Sequence, residues 1–138
     1  MIATEGESRD ELQQWIDDNM TSDPANALWD NRERAARFAA VARDGSVVVK
    51  ANGNFTAYLK VLAYHVGALY SATRGHRPDA VVSNQELVAR LGLPEGTVKP
   101  KVKELRDSHM TEAVEEGRHV LPLVNLQRAL DELEKSGG

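Results

Sequence analysis

The chain has 138 residues, a formal net charge of −4 and no cysteine, and 41% of its residues are hydrophobic. This length suits one domain, which can bury a core without a disulfide or a metal ion to stabilise it. The lack of cysteine excludes a disulfide scaffold, a cysteine-ligated zinc finger, an iron–sulfur site and a thiol nucleophile. The sequence has no apolar run of membrane-span length and no signal-peptide pattern over residues 1–20. We therefore expect a cytoplasmic globular protein that does not enter a membrane.

The charge is distributed unevenly along the chain. Residues 1–49 carry a net charge of −5, residues 50–106 a net charge of +5, and residues 107–138 a net charge of −4. The total charge argues against a nucleic-acid partner, but a locally basic segment sets the field that a polyanion meets. The block at 50–106 is therefore the place to look for an anion-binding surface.

Residues 1–44 are predicted to form a helical extension. A cap at Ser8 or Asp10, followed by apolar residues at steps of three and four, predicts a short amphipathic helix. Its apolar stripe consists of Leu12, Trp15, Ile16 and Met20. A turn over residues 21–24 then leads to a second predicted helix over residues 25–43.

The second predicted helix has an apolar face, and opposite charges lie four residues apart on its outer face. The face includes Leu28 and Phe38, and the charged pairs are Asp30 with Arg34 and Glu33 with Arg37. Such spacing predicts ion pairs along one helix surface. We expect both tryptophans, at positions 15 and 29, to lie in the core or in an interface. A glycine turn at 44–45 and a β-branched strand over residues 46–50 follow, and residues 51–54 form a turn.

The most apolar segment runs from about Thr56 to Thr73 and carries Lys60 as its only fixed charge. A helix that is apolar nearly all round is a central core helix or part of a subunit interface. His65 lies within it, and we expect a packed imidazole there. The four histidines show no metal-ligand spacing, so no metal site is expected.

Two short helices joined by a glycine turn are predicted in the basic block. Ser83 and Glu86 form a capping box before a helix over residues 84–91, and Gly92 suits the left-handed position after it. In the next helix, which ends near Ser108, apolar and basic residues occupy opposite faces. The inward residues are Val98, Val102 and Leu105, and the outward ones are Lys99, Lys103 and Arg106, with Lys101 beside them. This is the geometry of a helix-turn-helix DNA reader.

The segment Leu91-Gly92-Leu93-Pro94-Glu95-Gly96-Thr97-Val98-Lys99 resembles the turn of the helix-turn-helix in region 4 of extracytoplasmic sigma factors and in LuxR-type regulators. The resemblance implies that Thr97 and Lys99 contact phosphates or base edges. Pro100 departs from the pattern. It lies in the first turn if the helix begins near Thr97, and it would kink a helix that begins at Glu95.

A predicted hairpin after the second helix favours a winged helix. Residues 111–115 alternate with period two, Glu116-Gly117 is a tight turn, and residues 118–121 return. The strand at Val47–Val49 is available as a third member of this sheet. The predicted fold is thus mainly α with a small antiparallel β-wing, in which a winged helix-turn-helix at 45–122 carries N-terminal helices. A last amphipathic helix begins at Leu123 in the C-terminal segment 123–138, with Leu126, Leu130 and Leu133 inward.

These patterns favour sequence-specific binding of double-stranded DNA by a homodimeric transcriptional regulator, with the recognition helix at about 96–108 in the major groove. The residues expected to contact DNA are Asn84, Gln85, Thr97, Lys99, Lys101, Lys103, Arg106, Arg118 and His119. No phosphate loop, nucleophile or paired carboxylates are present, so we expect neither enzymatic activity nor a cofactor. The alternatives are a winged-helix adaptor that binds proteins, supported by the acidic wing, and a plasmid or phage DNA-maintenance accessory protein.

Overall fold

The computed structural model describes residues 5–20, 24–50 and 55–137, with side chains at 8–20, 26–50 and 55–135. The turns predicted at 21–24 and 51–54 therefore fall largely outside the described residues. The protein is mainly helical, at 62%, with one two-stranded and one three-stranded antiparallel sheet. This confirms the prediction of a mainly α protein with a small antiparallel β component.

The N-terminal segment contains three helices. They are α1 (Glu5–Asn19), α2 (Pro24–Asp30) and α3 (Arg32–Ala36). α1 begins before Ser8, so neither predicted cap residue starts it. Trp15 is 55% exposed and Trp29 is 63% exposed, which excludes both from the core of the protomer.

The predicted helix at 25–43 is wrong in its second half. Residues Ala39–Val41 form strand β1, which pairs antiparallel with β2 (Val47–Val49). Asp44 and Gly45 make the turn: the Asp44 carboxylate accepts hydrogen bonds from the backbone N–H and hydroxyl of Ser46, and Gly45 has a φ of +93°. Sheet pairing with the valine strand therefore overrides the helix propensity of the alanines.

The predicted outer ion pairs of this segment are also replaced. Arg34 pairs with Asp131 and Glu134 rather than with Asp30. Arg37 pairs with Glu134, at 3.3 Å, rather than with Glu33. Both arginines thus connect this segment to the C-terminal helix.

Helix α4 (Ala57–Arg74) is the buried centre of the molecule, as its sequence predicts. Thr56 caps it by accepting a hydrogen bond from the Leu59 N–H. The two-stranded sheet packs so closely on this helix that a Cβ added to Gly67 would lie 2.3 Å from Cγ1 of Val47. Strand β2 pairs with β1 in a separate sheet, so the prediction that it is the third strand of the hairpin sheet is wrong.

The two helices of the basic block form as predicted. α5 (Asn84–Leu91) begins after Ser83, whose hydroxyl accepts a hydrogen bond from the Glu86 N–H, and ends at Gly92 with a φ of +67°. α6 (Glu95–Asp107) begins at Glu95, which decides between the two positions considered for Pro100. Pro100 lies inside the helix, so the Gly96 carbonyl receives no intrahelical hydrogen bond from it.

The three-stranded sheet consists of β3 (Val82–Ser83), β4 (Glu112–Glu115) and β5 (Arg118–Val120), in the order β3-β5-β4. The predicted hairpin is β4–β5, with a bulge between Ala113 and Glu115. A 3-10 helix (Leu123–Asn125) then leads into α7 (Leu126–Gly137), whose inward residues Leu126, Leu130 and Leu133 are buried as predicted. One continuous core joins residues from 28 to 133.

Candidate nucleic-acid interface

The start of α5 is fixed to the turn of the hairpin. The backbone N–H of Asn84 donates to the carbonyl of Gly117 at 2.9 Å. Asn84 is half-buried in this position, whereas Gln85 is exposed. The first turn of α5 is therefore held beside the tip of the hairpin.

Helix α6 presents its predicted faces. Val98, Val102 and Leu105 are buried, and Lys99, Lys103 and Arg106 are exposed. Residues 99, 103 and 106 recur at steps of four and three, so they share one side of the helix. Thr97 and Lys101 are half-buried. Because two residues span about 200° around a helix, both lie on the flank of α6 opposite Lys99.

The cations of α6 differ in their ionic partners. Lys99 pairs with Glu95 at 2.8 Å, and this contact raises the pKa of Lys99 and lowers that of Glu95. Lys101 pairs with Glu104 at 3.2 Å. Within the described part of the chain, neither Lys103 nor Arg106 pairs with a carboxylate. These two therefore hold the exposed positive charge that an anion would meet first.

The hairpin contributes one of its two predicted contact residues to the surface. Arg118 is exposed and pairs with Glu115 at 3.0 Å. His119 is only 3% exposed, since its side chain faces the core side of the sheet. The prediction that it contacts DNA is therefore wrong. Burial, together with the charge of Arg106, lowers the pKa of His119. Glu112, Glu115 and Glu116 are all exposed on the same hairpin.

A groove of about 400 Å³ separates the hairpin tip from the two helices. It brings together four of the predicted contact residues: Asn84, Gln85, Lys99 and Arg118. Glu95 and Glu116 also line it, so its charge is mixed. Thr97, Lys101, Lys103 and Arg106 do not line the groove. Lys103 and Arg106 continue the side of α6 that carries Lys99, whereas Thr97 and Lys101 lie on the opposite flank.

A second groove, of about 550 Å³, lies on the other side of the α5 start. Gln85 and Arg118 line both grooves and therefore form the ridge between them. Arg90 lines the second groove and approaches Asp44 at 3.5 Å.

Arg77 holds the start of α5 in place, a role that was not predicted from the sequence. Its guanidinium makes a two-pronged contact with the Glu86 carboxylate, each N–O distance being 2.9 Å. The remaining N–H groups donate to the carbonyls of Gly45, Asp79 and Val81, so all five donors are used. The Tyr64 hydroxyl donates to the same carboxylate. Burial and this hydrogen bond raise the pKa of Tyr64 to about 12.

Only half of the predicted capping box forms. Ser83 caps α5, but Glu86 turns towards Arg77 and Tyr64 rather than back to the Ser83 N–H. The network therefore fixes α5 to α4 and to the β1–β2 turn. A local sequence pattern identified the cap, whereas only the contact across nine residues reveals the partner of Glu86.

Among the described residues, no helix is long and apolar enough to cross a membrane. The same residues contain no group of three or more histidine, aspartate or glutamate side chains arranged to hold a metal ion. Comparison with protein-family models, curated proteins and solved structures finds no match to this chain.

Proposed function

We propose that the protein binds double-stranded DNA through a winged helix-turn-helix, with α6 in the major groove and the β4–β5 hairpin as the wing. The observation that carries the proposal is the exposed, unpaired positive charge of Lys103 and Arg106 on the same side of α6 as Lys99. A helix of this kind, held by a shorter helix and followed by a hairpin, has the dimensions and order of a major-groove reader.

Each proposed contact residue has a role that follows from its position. Lys103 and Arg106 bind phosphates along the groove, and Lys99 joins them when DNA competes with Glu95. Thr97 and Lys101 lie nearest the base edges. Asn84 and Gln85 bind a backbone phosphate at the start of α5, where the positive end of the helix dipole favours an anion. Arg118 reaches the backbone from the wing.

Salt titration of duplex binding tests the proposal. The triple variant Lys99→Ala, Lys103→Ala, Arg106→Ala should lose measurable binding, because most of the affinity for DNA comes from phosphate neutralisation. Lys103→Ala alone should flatten the slope of log affinity against log salt by about 0.9. Lys135→Ala, at an exposed position on α7, is the matched control and should leave the slope unchanged. A folded triple variant that binds as well as the parent would refute the assignment.

The ion pair at the start of α6 gives a gain-of-binding test. Glu95→Gln removes the carboxylate that neutralises Lys99, so affinity for duplex DNA should rise and the salt slope should steepen. Unchanged affinity in this variant would show that Lys99 does not contact DNA. Selection of bound sequences from a random duplex pool would then report the site and any half-site spacing, as expected for a dimeric transcriptional regulator.

The second candidate function is a protein-binding adaptor, and the exposed apolar side chains of Leu12, Trp15 and Trp29 favour it. The acidic residues of the wing favour it too, since they repel a phosphate backbone. An adaptor without DNA-binding activity shows no affinity for duplex DNA even at low ionic strength. A DNA-maintenance accessory protein would bind DNA by the same chemistry and differ in the site, which footprinting identifies.

A further inference from the structure

Helix α1 has an apolar face that nothing in the described part of the protomer covers. Leu12 is 58% exposed and Trp15 is 55% exposed, and Ile16 beside them is half-buried. A helix of 15 residues is marginal on its own in water, because most helical stability in proteins comes from packing of the apolar face. The face of α1 therefore calls for a partner surface.

A groove of about 300 Å³ lies between α3, β1 and α4, and its lining is largely apolar. It is therefore suited to receive an apolar helix face. Its lining includes several small residues, among them Ala36, Ala39 and Ala40, which leave room for a large side chain. Strand β1 forms one wall. Among the described residues it pairs with β2 alone, so its second edge has no partner strand there. The groove is thus an apolar slot beside an unpaired strand edge.

The groove carries positive charge at its rim. Arg32 and Lys50 line it, and both are exposed. The Arg32 guanidinium stacks on the ring of Trp29 at 3.7 Å, and the Lys50 ammonium donates to the carbonyl of Ala36. Neither cation pairs with a carboxylate anywhere in the described residues.

The sequence of α1 has the opposite charge. Between Glu5 and Asn19 it contains six acidic residues and one arginine. Direct pairing of two α1 helices would bring two strongly negative helices together, and like charges across a contact are destabilising. A groove with two unpaired cations is the matching surface, because apolar contact and charge attraction then act together.

We propose that α1 of one copy docks in the Arg32–Lys50 groove of a second copy, with Trp15 in the slot between α4 and β1. One chain supplies both complementary surfaces, and in the proposed dimer the exchange is reciprocal, so a closed two-fold pair contains the contact twice. This dimer forms without DNA, and the inference is independent of the proposed function.

Sedimentation equilibrium of the full chain, without DNA, measures the dimer dissociation constant. Trp15→Ala should raise it by about 30-fold or more, the effect of removing a central aromatic anchor. Val124→Ala removes another exposed apolar side chain, 85% exposed in the 3-10 helix, and should leave the constant unchanged. Added salt should weaken the wild-type dimer, because part of the attraction is between charges.

Substitutions in the groove test the other half of the contact. Ala36→Glu adds an acidic side chain at an exposed position in the slot and should raise the dissociation constant as strongly as Trp15→Ala. Ala89→Glu, at an exposed position of α5, is the matched control. Lys50→Glu reverses a rim charge and serves as a second groove variant, and thermal melts establish that each variant is folded.

Mixing the variants distinguishes this exchange from other dimers. A Trp15→Ala chain retains its groove and an Ala36→Glu chain retains its helix, so an equimolar mixture should form heterodimers with one intact contact. Their dissociation constant should fall between those of the wild type and of either variant alone. A monomeric wild type, a dimer unaffected by both groove variants, or a mixture without heterodimers would overturn the proposal.

Discussion

Single residues set the pH response of the protein, and His65 is the clearest case. The imidazole is 1% exposed, and both of its nitrogens lack a hydrogen-bond partner in the described structure. Burial, with smaller effects from His119 and Arg77, lowers the pKa of His65 to about 3. In the unfolded chain the pKa is near the ordinary value of about 6.5. The unfolded state therefore binds more protons between these values, and folding weakens as the pH falls through that range.

We expect acidification from pH 7 to pH 4.5 to reduce the free energy of unfolding by on the order of 2 kcal/mol through His65. His65→Leu removes the titrating group, fills the same space with carbon and should flatten this part of the profile. Urea unfolding of both proteins at several pH values measures the difference, and the carboxylates titrate in both. Parallel profiles would contradict the assignment.

The residue scale also shows what a local sequence pattern can predict. The hydroxyl cap at Ser83 and the left-handed position of Gly92 depend on neighbouring residues only, and both were predicted. The partners of Arg34 and Arg77 were not, because those contacts come from chain segments brought together by folding. For the same reason the burial of His119 could not be predicted from its alternation in a strand, since either face of a hairpin can be covered.

At the scale of secondary-structure elements, the close packing of α4 on the β1–β2 sheet requires a glycine at position 67. Gly67→Ala places a Cβ against Val47, so we expect a loss of stability on the order of 2 kcal/mol. Gly96→Ala is the matched control, because no atom lies within 4 Å of the new Cβ in α6, and alanine there should stabilise by roughly 0.5–1 kcal/mol. Thermal melts compare the two variants. Equal effects would show that the contact with β2 is unimportant.

Periodicity predicted the long and strongly patterned elements well. Helices α4, α5 and α7 and the hairpin lie where the apolar spacing places them. Strand β1 was missed because its alanines favour a helix locally, and its strand geometry depends on pairing with Val47–Val49. The third strand of the hairpin sheet was misassigned for a similar reason: Val82–Ser83 has two residues and no pattern of its own.

At the scale of the whole molecule, ion pairs connect helix α3 to the C-terminal helix α7. Arg34 joins α3 to Asp131 and Glu134 of α7, and the hydrogen bond to Asp131 contributes most to raising its pKa. Arg34→Ala should destabilise the protein by about 1 kcal/mol, since the contact is partly exposed. A double-mutant cycle with Glu134→Ala, followed by urea unfolding, should return a favourable coupling energy. A coupling energy of zero would mean that the ion pair does not stabilise the contact between α3 and α7.

At this scale the distribution of charge matters more than the total of −4. The acidic ends and the acidic wing surround a basic helix whose net excess of positive charge is small. In the proposed function this arrangement keeps non-specific DNA affinity low, because each unpaired acid opposes the phosphate attraction. The net charge of each sequence segment predicted where the basic region lies. The structure shows in addition that Lys99 and Lys101 form ion pairs with carboxylates of the same helix.

The acidic hairpin has a consequence for solubility. Strand β4 is the edge of its sheet, and all four of its residues are exposed. In the described part of the chain no strand lies next to its outer backbone groups. Such an edge is a template for polymerisation of one chain upon another. Glu112 and Glu115 place like charges along it, and the bulge between Ala113 and Glu115 interrupts its regular spacing. The side chains that weaken the wing as a phosphate contact thus protect the folded protein from forming fibres through this edge.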